Sequence, residues 1–226
     1  MNNNDTKDFS DKGYLTKNIE CLFSSKITDI MKSSQSSSEN SWTYIYKNSI
    51  EQKDLSFTTT AREINQCYKK CFEDYCENRF SFFFRRLSNE TKDNVAPCEA
   101  AAMAFDFCNS ENFKDLIASL TGRGIGGIDV FYINRFDKSH FLNTHSDSGN
   151  NVGIALNITQ NWEPNFGGLT HILSQEKDKV IKTLTPALGE LFLFDTSEVQ
   201  VPHFVSMVTA NQKNRRMSVI ARYGKD

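Results

Sequence analysis

Hydrophobic positions along the chain change their period near residue 122. Between residues 60 and about 84, Ile64, Cys67, Tyr68, Cys71, Phe72 and Tyr75 recur at intervals of three and four, which predicts an amphipathic helix. Residues 98–108 and 112–120 predict two more helices, the second with Ser110 as its cap. Beyond residue 122 the apolar positions fall into short, alternating runs at 128–134, 141–145, 153–159, 170–173, 190–194 and 217–223, separated by turn residues. That is the pattern of an antiparallel sandwich or barrel. Helices first and strands afterwards predict a mainly β fold with flanking helices packed on a double-sheet core.

The N-terminal third is less regular. Residues 1–12 are polar and are expected to form a disordered tail. Residues 19–31 suit a short helix or a strand equally, and 41–46 (Ser-Trp-Thr-Tyr-Ile-Tyr) read as a strand. Residues 33–41 (Ser-Ser-Gln-Ser-Ser-Ser-Glu-Asn-Ser) are the low-complexity stretch, expected to be a flexible loop because they offer little apolar surface to bury. Gly122-Arg123-Gly124-Ile125-Gly126-Gly127 spells a dinucleotide-binding pattern, but it follows a helix and precedes a strand. A pyrophosphate needs the reverse order, with a helix N-terminus to receive it; a flexible turn is expected instead. Residues 13–226 therefore read as a single domain, with helical support over about 55–122 and a β core over about 125–224.

Composition narrows the function. Twenty-six Lys+Arg against 28 Asp+Glu give a net charge of -2, and the pI is near 6.1. Nucleic acid is not an expected partner, since its affinity comes from basic groups neutralising phosphates. No apolar run approaches the ~20 residues of a membrane helix, and Met1-Asn2-Asn3-Asn4-Asp5 has no signal-peptide character, so a cytoplasmic location is expected. The six cysteines, all in the first half, lack a Cys-x-x-Cys pair and are expected to be reduced thiols rather than disulfides or a zinc site.

Four histidines carry the candidate chemistry: His140, His145, His171 and His203. His145 and Asp147 are two apart, so an extended segment projects both from one face. His203, 58 residues downstream, lies where a sandwich can bring it beside them. Two histidines and one carboxylate with open positions form the facial triad of non-haem Fe(II) oxygenases. Taken singly, each residue has an ordinary reading, the pair as a surface turn and His203 as a structural histidine after Pro202.

Their sequence neighbours decide between these readings. Residues 136–147 (Phe-Asp-Lys-Ser-His-Phe-Leu-Asn-Thr-His-Ser-Asp), then Trp162, Pro164 and Gly167-Gly168-Leu169, then 186–195 (Pro-Ala-Leu-Gly-Glu-Leu-Phe-Leu-Phe-Asp), and finally Pro202-His203 and Arg216-Met217-Ser218 follow one another in a set order. This succession resembles the prolyl-hydroxylase-like 2-oxoglutarate/Fe(II)-dependent dioxygenases over about residues 125–223. The resemblance implies a distorted double-stranded β-helix, a relative of the jelly roll, with His145, Asp147 and His203 as iron ligands. It implies Fe(II), 2-oxoglutarate and O2 as cofactor and cosubstrates, with ascorbate as an accessory reductant. Arg216 would pair with the far carboxylate of 2-oxoglutarate, which suits a guanidinium fork. Arg215 points to the opposite face, whereas Ser218 shares the face of Arg216 and would help it.

Two positions depart from the family's pattern. Phe136 and Asn157 stand where relatives often have tyrosines that touch the cosubstrate, so Asn157 would donate through its amide and Tyr132 or Thr144 would complete the contact. His171 could line the mouth, while His140 and Trp162 read as structural. Asp147 is retained, which favours hydroxylation over halogenation. The implied reaction is hydroxylation of an unactivated C–H bond in a prolyl residue, peptide, protein or amino-acid-derived substrate, with release of succinate and CO2. Two other readings remain: an AlkB-like nucleic-acid dealkylase, because Arg216 and Arg222 fit Arg-x5-Arg, and a noncatalytic jelly-roll binding module. Arg222 otherwise reads as a surface charge, and the oligomeric state is not legible.

Overall fold

The computed structural model describes residues 3–56, 58–88, 98–211 and 215–226. Its helices are α1 (Asn3–Lys12), α2 (Glu20–Ser36), α3 (Ala61–Cys76), α4 (Glu99–Asn109) and α5 (Glu111–Thr121). Its strands are β1 (Tyr14–Asn18), β2 (Thr43–Lys47), β3 (Gln52–Asp54), β4 (Phe82–Leu87), β5 (Ile128–Phe136) and β6 (Phe141–His145). They continue with β7 (Val152–Asn157), β8 (Thr170–Leu173), β9 (Val180–Leu184), β10 (Glu190–Asp195), β11 (His203–Val205) and β12 (Arg216–Tyr223).

The strands pair in the order β1-β10-β7-β12-β5-β4-β6-β11-β8-β9, with β2 on β4 and β3 on β2. The ladder folds back on itself. Phe192 and Phe194 of β10 meet the ring of His203 on β11 at centroid separations of 5.4 and 5.5 Å, and Arg216 of β12 reaches Thr170 of β8 at 3.2 Å. Two facing layers joined in this way form a double-stranded β-helix core.

Alternation along β7, β10 and β12 assigns each side chain a layer. Met217, Val219, Ala221 and Tyr223 join Ile154, Leu156, Leu191 and Leu193 against Phe9 of α1, Ile27 and Ile30 of α2, Ala104 of α4 and Ile117 of α5. Each large side chain so buried contributes roughly 1.5–3 kcal/mol as an upper figure. Arg216, Ser218 and Arg222 therefore face the other way, into the space between the layers.

The structure corrects several expectations from sequence. The anticipated tail is α1, held by Phe9, whose ring lies 5.2 Å beneath the Arg123 guanidinium, and by Thr6, which donates to the Ser119 carbonyl. One apolar anchor in ten residues is too sparse a pattern to read. The serine-rich stretch is not a loop throughout: α2 runs on to Ser36 because Ser34 is buried and returns its hydroxyl to the Ile30 carbonyl at 2.7 Å. The helix expected over 60–84 starts at a Thr60–Glu63 capping box but stops at Cys76. Asn78 turns left-handed (φ 55°) and the Arg79 amide donates back to Asp74, so that 82–87 become β4. Ser110 stands at the N-cap of α5, yet its hydroxyl donates back to the Phe107 carbonyl in the last turn of α4 and gives α5 no side-chain cap.

Two corrections concern the site. The core is not confined to residues 125–224, since β4 is inserted between β5 and β6, and β1 extends β10. The glycine-rich turn is tethered rather than free. Gly122 (φ 71°) closes α5, and Arg123 forks onto Asp195 at 2.9 and 2.7 Å. Asp195 has a fully buried carboxylate and also accepts from the amides of Ser197, Glu198 and Val199. That cap fixes how the chain leaves β10 on its way to His203.

Candidate metal and cosubstrate site

β6 and β11 pair so that His203 lies opposite His145, with a register shift before Val205. Asp147 follows two residues after His145. Its Oδ2 is 3.8 Å from His145 Nε2 and 3.7 Å from His203 Nε2, and one ligand atom from each of the three falls within 4.8 Å of the others. Among the described residues this is the grouping that could hold a metal ion.

The surroundings prepare both rings for that task. His145 Nδ1 lies 3.0 Å from the Asn143 carbonyl and His203 Nδ1 lies 2.8 Å from the Val201 carbonyl. A carbonyl only accepts, so each Nδ1 carries the proton and each Nε2 presents a lone pair. Burial, then the neighbouring His203, push the His145 imidazole down to about 4, which keeps it neutral. Burial opposes ionisation of Asp147, but His145, His203 and Arg222 outweigh it and hold its pKa below the usual carboxylate value. Two imidazole nitrogens freed by their Nδ1 contacts and a carboxylate oxygen are the donor set that a divalent ion with open positions requires.

Arg216 is 2% exposed. Its Nε donates to the Gly168 carbonyl at 3.1 Å, Nη1 to Asn134 Oδ1 at 3.3 Å and Nη2 to Thr170 Oγ1 at 3.2 Å, and the guanidinium lies 4.5 Å over the Phe136 ring. All three acceptors are neutral, and among the described residues no carboxylate pairs with it. Burial pushes its pKa down to about 9. An unpaired buried guanidinium is costly unless an anion completes it, so the pocket fits the carboxylate of a cosubstrate. Thr170 and Ile172 share one face of β8, and Ile172 is the register partner of His203. Two residues along a strand span ~7 Å, so the Arg216 head sits about one short diacid's length from the three ligands.

The remaining candidates are distributed as follows. Ser218 and Asn157 are inward register partners, and the Ser218 hydroxyl donates to Asn157 Oδ1 at 3.0 Å. The Asn157 amide reaches the Glu190 carbonyl only at 3.5 Å. Tyr132 lines the mouth with His145, Asp147 and Arg222, and burial pushes its phenol up to about 12. Thr144 leaves β6 on the opposite side from His145. His171 does not line the mouth: it stacks on Phe204 at 4.5 Å and meets Thr183 Oγ1, on the face of β8 opposite Thr170. His140 is buried and accepts from the Asp137 amide, while Trp162 donates to the Gly167 carbonyl. Arg215 turns outward to Glu39 at 2.6 Å.

Two participants were not picked out from the sequence, and a third was picked out for a different role. Asn134 bridges Arg216 and the Ser218 amide, and Thr170 supplies the third acceptor. Arg222, expected at the surface, forms an ion pair with Asp147 Oδ1, the oxygen turned away from the histidines. The signal was present, because Arg222 lies an even number of residues from Arg216 on one strand.

Residues 131–223, which run from within β5 to the end of β12 and include His145, Asp147, His203 and Arg216, match the family model of the 2OG-Fe(II) oxygenase superfamily. Over this stretch, which is less than half of its length, the chain is similar to that superfamily. The match and the His-Asp-His grouping support a 2-oxoglutarate-dependent oxygenase, and that superfamily uses Fe(II), 2-oxoglutarate and O2. Among solved structures it is similar to a Pseudomonas putida prolyl-4-hydroxylase (TM-score 0.60, 13% identity, covering 98% of this chain and 97% of that one). It is also similar to an oxidoreductase of the 2OG-Fe(II) oxygenase family from Burkholderia pseudomallei (TM-score 0.61, 13% identity, 99% and 90%). A third is a Trichoplax adhaerens prolyl hydroxylase in complex with a hypoxia inducible factor oxygen degradation domain peptide fragment (TM-score 0.57, 15% identity, 97% and 87%). At such identities the likeness is one of fold. No curated protein matches this chain in sequence.

Proposed function

We propose that this oxygenase hydroxylates an unactivated C–H bond of a prolyl residue, peptide or amino-acid-derived substrate, using His145, Asp147 and His203 to hold Fe(II) and Arg216 to hold 2-oxoglutarate. The bound metal supplies the oxidising chemistry, in which 2-oxoglutarate and O2 become succinate and CO2 as one oxygen atom enters the substrate. The residues of the chain supply position and dryness. The two backbone carbonyls lock the imidazole tautomers, and Phe192 and Phe194 wall off one side of His203. Arg216 orients the cosubstrate from a pocket that water does not reach. A cleft of about 400 Å³, lined by Phe82, Phe84, Leu142, Tyr132, His145 and Asp147 among others, admits the substrate from the opposite side.

The observation that carries this reading is the pairing of a His-Asp-His donor set with a buried guanidinium that has no anion among the described residues. Prolyl hydroxylases among the structural neighbours, one of them with a peptide, support peptide-like substrates. The test is anaerobic addition of Fe(II) and then 2-oxoglutarate to metal-free protein, watching for the visible charge-transfer band of the chelate. The band is expected in the wild type, absent in His203→Ala, and displaced to higher cosubstrate concentration in Arg216→Ala. A folded wild-type protein without the band refutes the assignment of these residues.

A further inference from the structure

The substrate cleft contains chemistry that the metal and cosubstrate leave unused. One wall is aromatic and aliphatic, built from Phe82, Phe84 and Leu142. The other presents two guanidiniums, Arg86 on β4 and Arg222 on β12, with Tyr132 of β5 beside both. Arg86 lies 5.7 Å over the Tyr132 ring and is tied at 2.5 Å to Asp54, a carboxylate at the rim with 30% side-chain exposure. Arg222 is tied to Asp147, yet among the described residues its buried Nε has no acceptor and the buried hydroxyl of Ser146 in the same cleft has no partner. A buried donor left unpaired costs about 1–3 kcal/mol. Two of them beside one opening are explained by an oxygen-bearing ligand that accepts from them.

Charge points the same way. Once a divalent ion and the dianionic cosubstrate are in place, Asp147 and Arg216 leave that pair at a net charge of plus two, minus two, minus one and plus one. Arg86 and Asp54 cancel, so the surplus is the single positive charge of Arg222. One carboxylate neutralises it, whereas a phosphate dianion overshoots. Arg forks match carboxylates in planar, bidentate geometry.

We propose that the substrate carries a free carboxylate, received by Arg86 and Arg222, with its C–H-bearing portion laid on the Phe82–Phe84–Leu142 wall. The substrate class is then an amino acid, an N-acylated amino acid or a peptide with its C-terminal carboxylate in the cleft, rather than an internal segment of a protein. This inference rests on the hydroxylase reading above.

The experiment uses protein loaded anaerobically with Fe(II) and 2-oxoglutarate. It is titrated with N-acetyl-L-proline against N-acetyl-L-prolinamide, and with N-acetyl-L-leucine against its amide, following the perturbation of the charge-transfer band. Each acid is expected to bind at least tenfold more tightly than its amide. Arg86→Met should bring the acid-to-amide ratio towards one, and Arg86→Lys should keep part of it. Equal binding of acid and amide, absence of any response to either acid, or a ratio unmoved in both Arg86 variants overturns the proposal. Loss of the band itself in the wild type refutes the hydroxylase reading, and this proposal with it.

Discussion

Replacing Arg216 by methionine is expected to separate stability from cosubstrate binding. Burial lowers the Arg216 pKa from 12.5 to about 9, which corresponds to roughly 5 kcal/mol of unfavourable desolvation of its charge. Methionine removes that cost and keeps contact with Phe136. It also deprives Gly168 O and Thr170 Oγ1 of a donor, while Asn134 Oδ1 keeps the Ser218 amide. At about 1–3 kcal/mol for each orphaned acceptor, the two effects nearly cancel, so the ligand-free variant should unfold within about 2 kcal/mol of the wild type. The ligand-bound states should differ sharply. Cosubstrate at a hundred times its Kd stabilises the native state by about 2.7 kcal/mol, or roughly 5–11 °C in Tm for a domain of this size. Taking one partner from a buried ion pair costs about 3–5 kcal/mol, so the shift should vanish in Arg216→Met at the same concentration. Calorimetry with Mn(II), with and without 2-oxoglutarate, reads both quantities. An undiminished cosubstrate shift, or a ligand-free variant destabilised by more than about 5 kcal/mol, would refute the assignment of Arg216 as an anion anchor.

Other perturbations follow from the same contacts. Arg123→Met leaves the Asp195 carboxylate buried with only the Ser197 hydroxyl and its amide donors, and urea unfolding should show a loss of about 3–5 kcal/mol at neutral pH. Burial opposes ionisation of Asp195, but Arg123 and the amides of Ser197, Glu198 and Val199 hold its pKa well below 3.8. Its contribution is therefore complete above the unfolded value near 4 and is lost as pH falls through the folded one; Arg123→Met should flatten that acid limb. Gly153→Ala sets a Cβ 2.1 Å from Phe194 Cε2, on the ring that packs on His203. An overpacking cost of about 1–3 kcal/mol and weaker Mn(II) binding by calorimetric titration are expected, and wild-type values for both would count against the packing argument. Tyr223→Phe removes the donor to the Cys108 carbonyl at 2.8 Å, for an expected loss of about 1 kcal/mol in the same unfolding assay.

Most of the C-terminal strands were legible because each buries two unlike faces, which imposes a period of two. The 141–145 and 170–173 runs coincide with β6 and β8. β9 escaped notice because, as an edge strand, it is exposed from Val180 to Thr183 and shows no buried alternation. β11 is three residues long, below the length at which a period can be seen. The serine-rich stretch deceived for a different reason: Ser34 substitutes an internal hydrogen bond for apolar burial. The grouping of His145, Asp147 and His203 was legible through local spacing and order of motifs, whereas Asn134 and Thr170 lie on strands whose adjacency to Arg216 no local window reveals. Lys213, which reads from the sequence as a poorer candidate than Arg216, lies outside the described residues.

The division of labour along β12 bears on how such an enzyme diversifies. Its odd-numbered positions, Met217, Val219, Ala221 and Tyr223, face the helices and hold the molecule together, while Arg216, Ser218, Ile220 and Arg222 face the interior. Inheritance can therefore revise one set without rewriting the other. On the carboxylate proposal above, a lineage that exchanges Arg222 for a neutral side chain would change what the cleft accepts and leave the helical seam intact, so that new appetites would arise on an old frame through alternate letters of one eight-residue word.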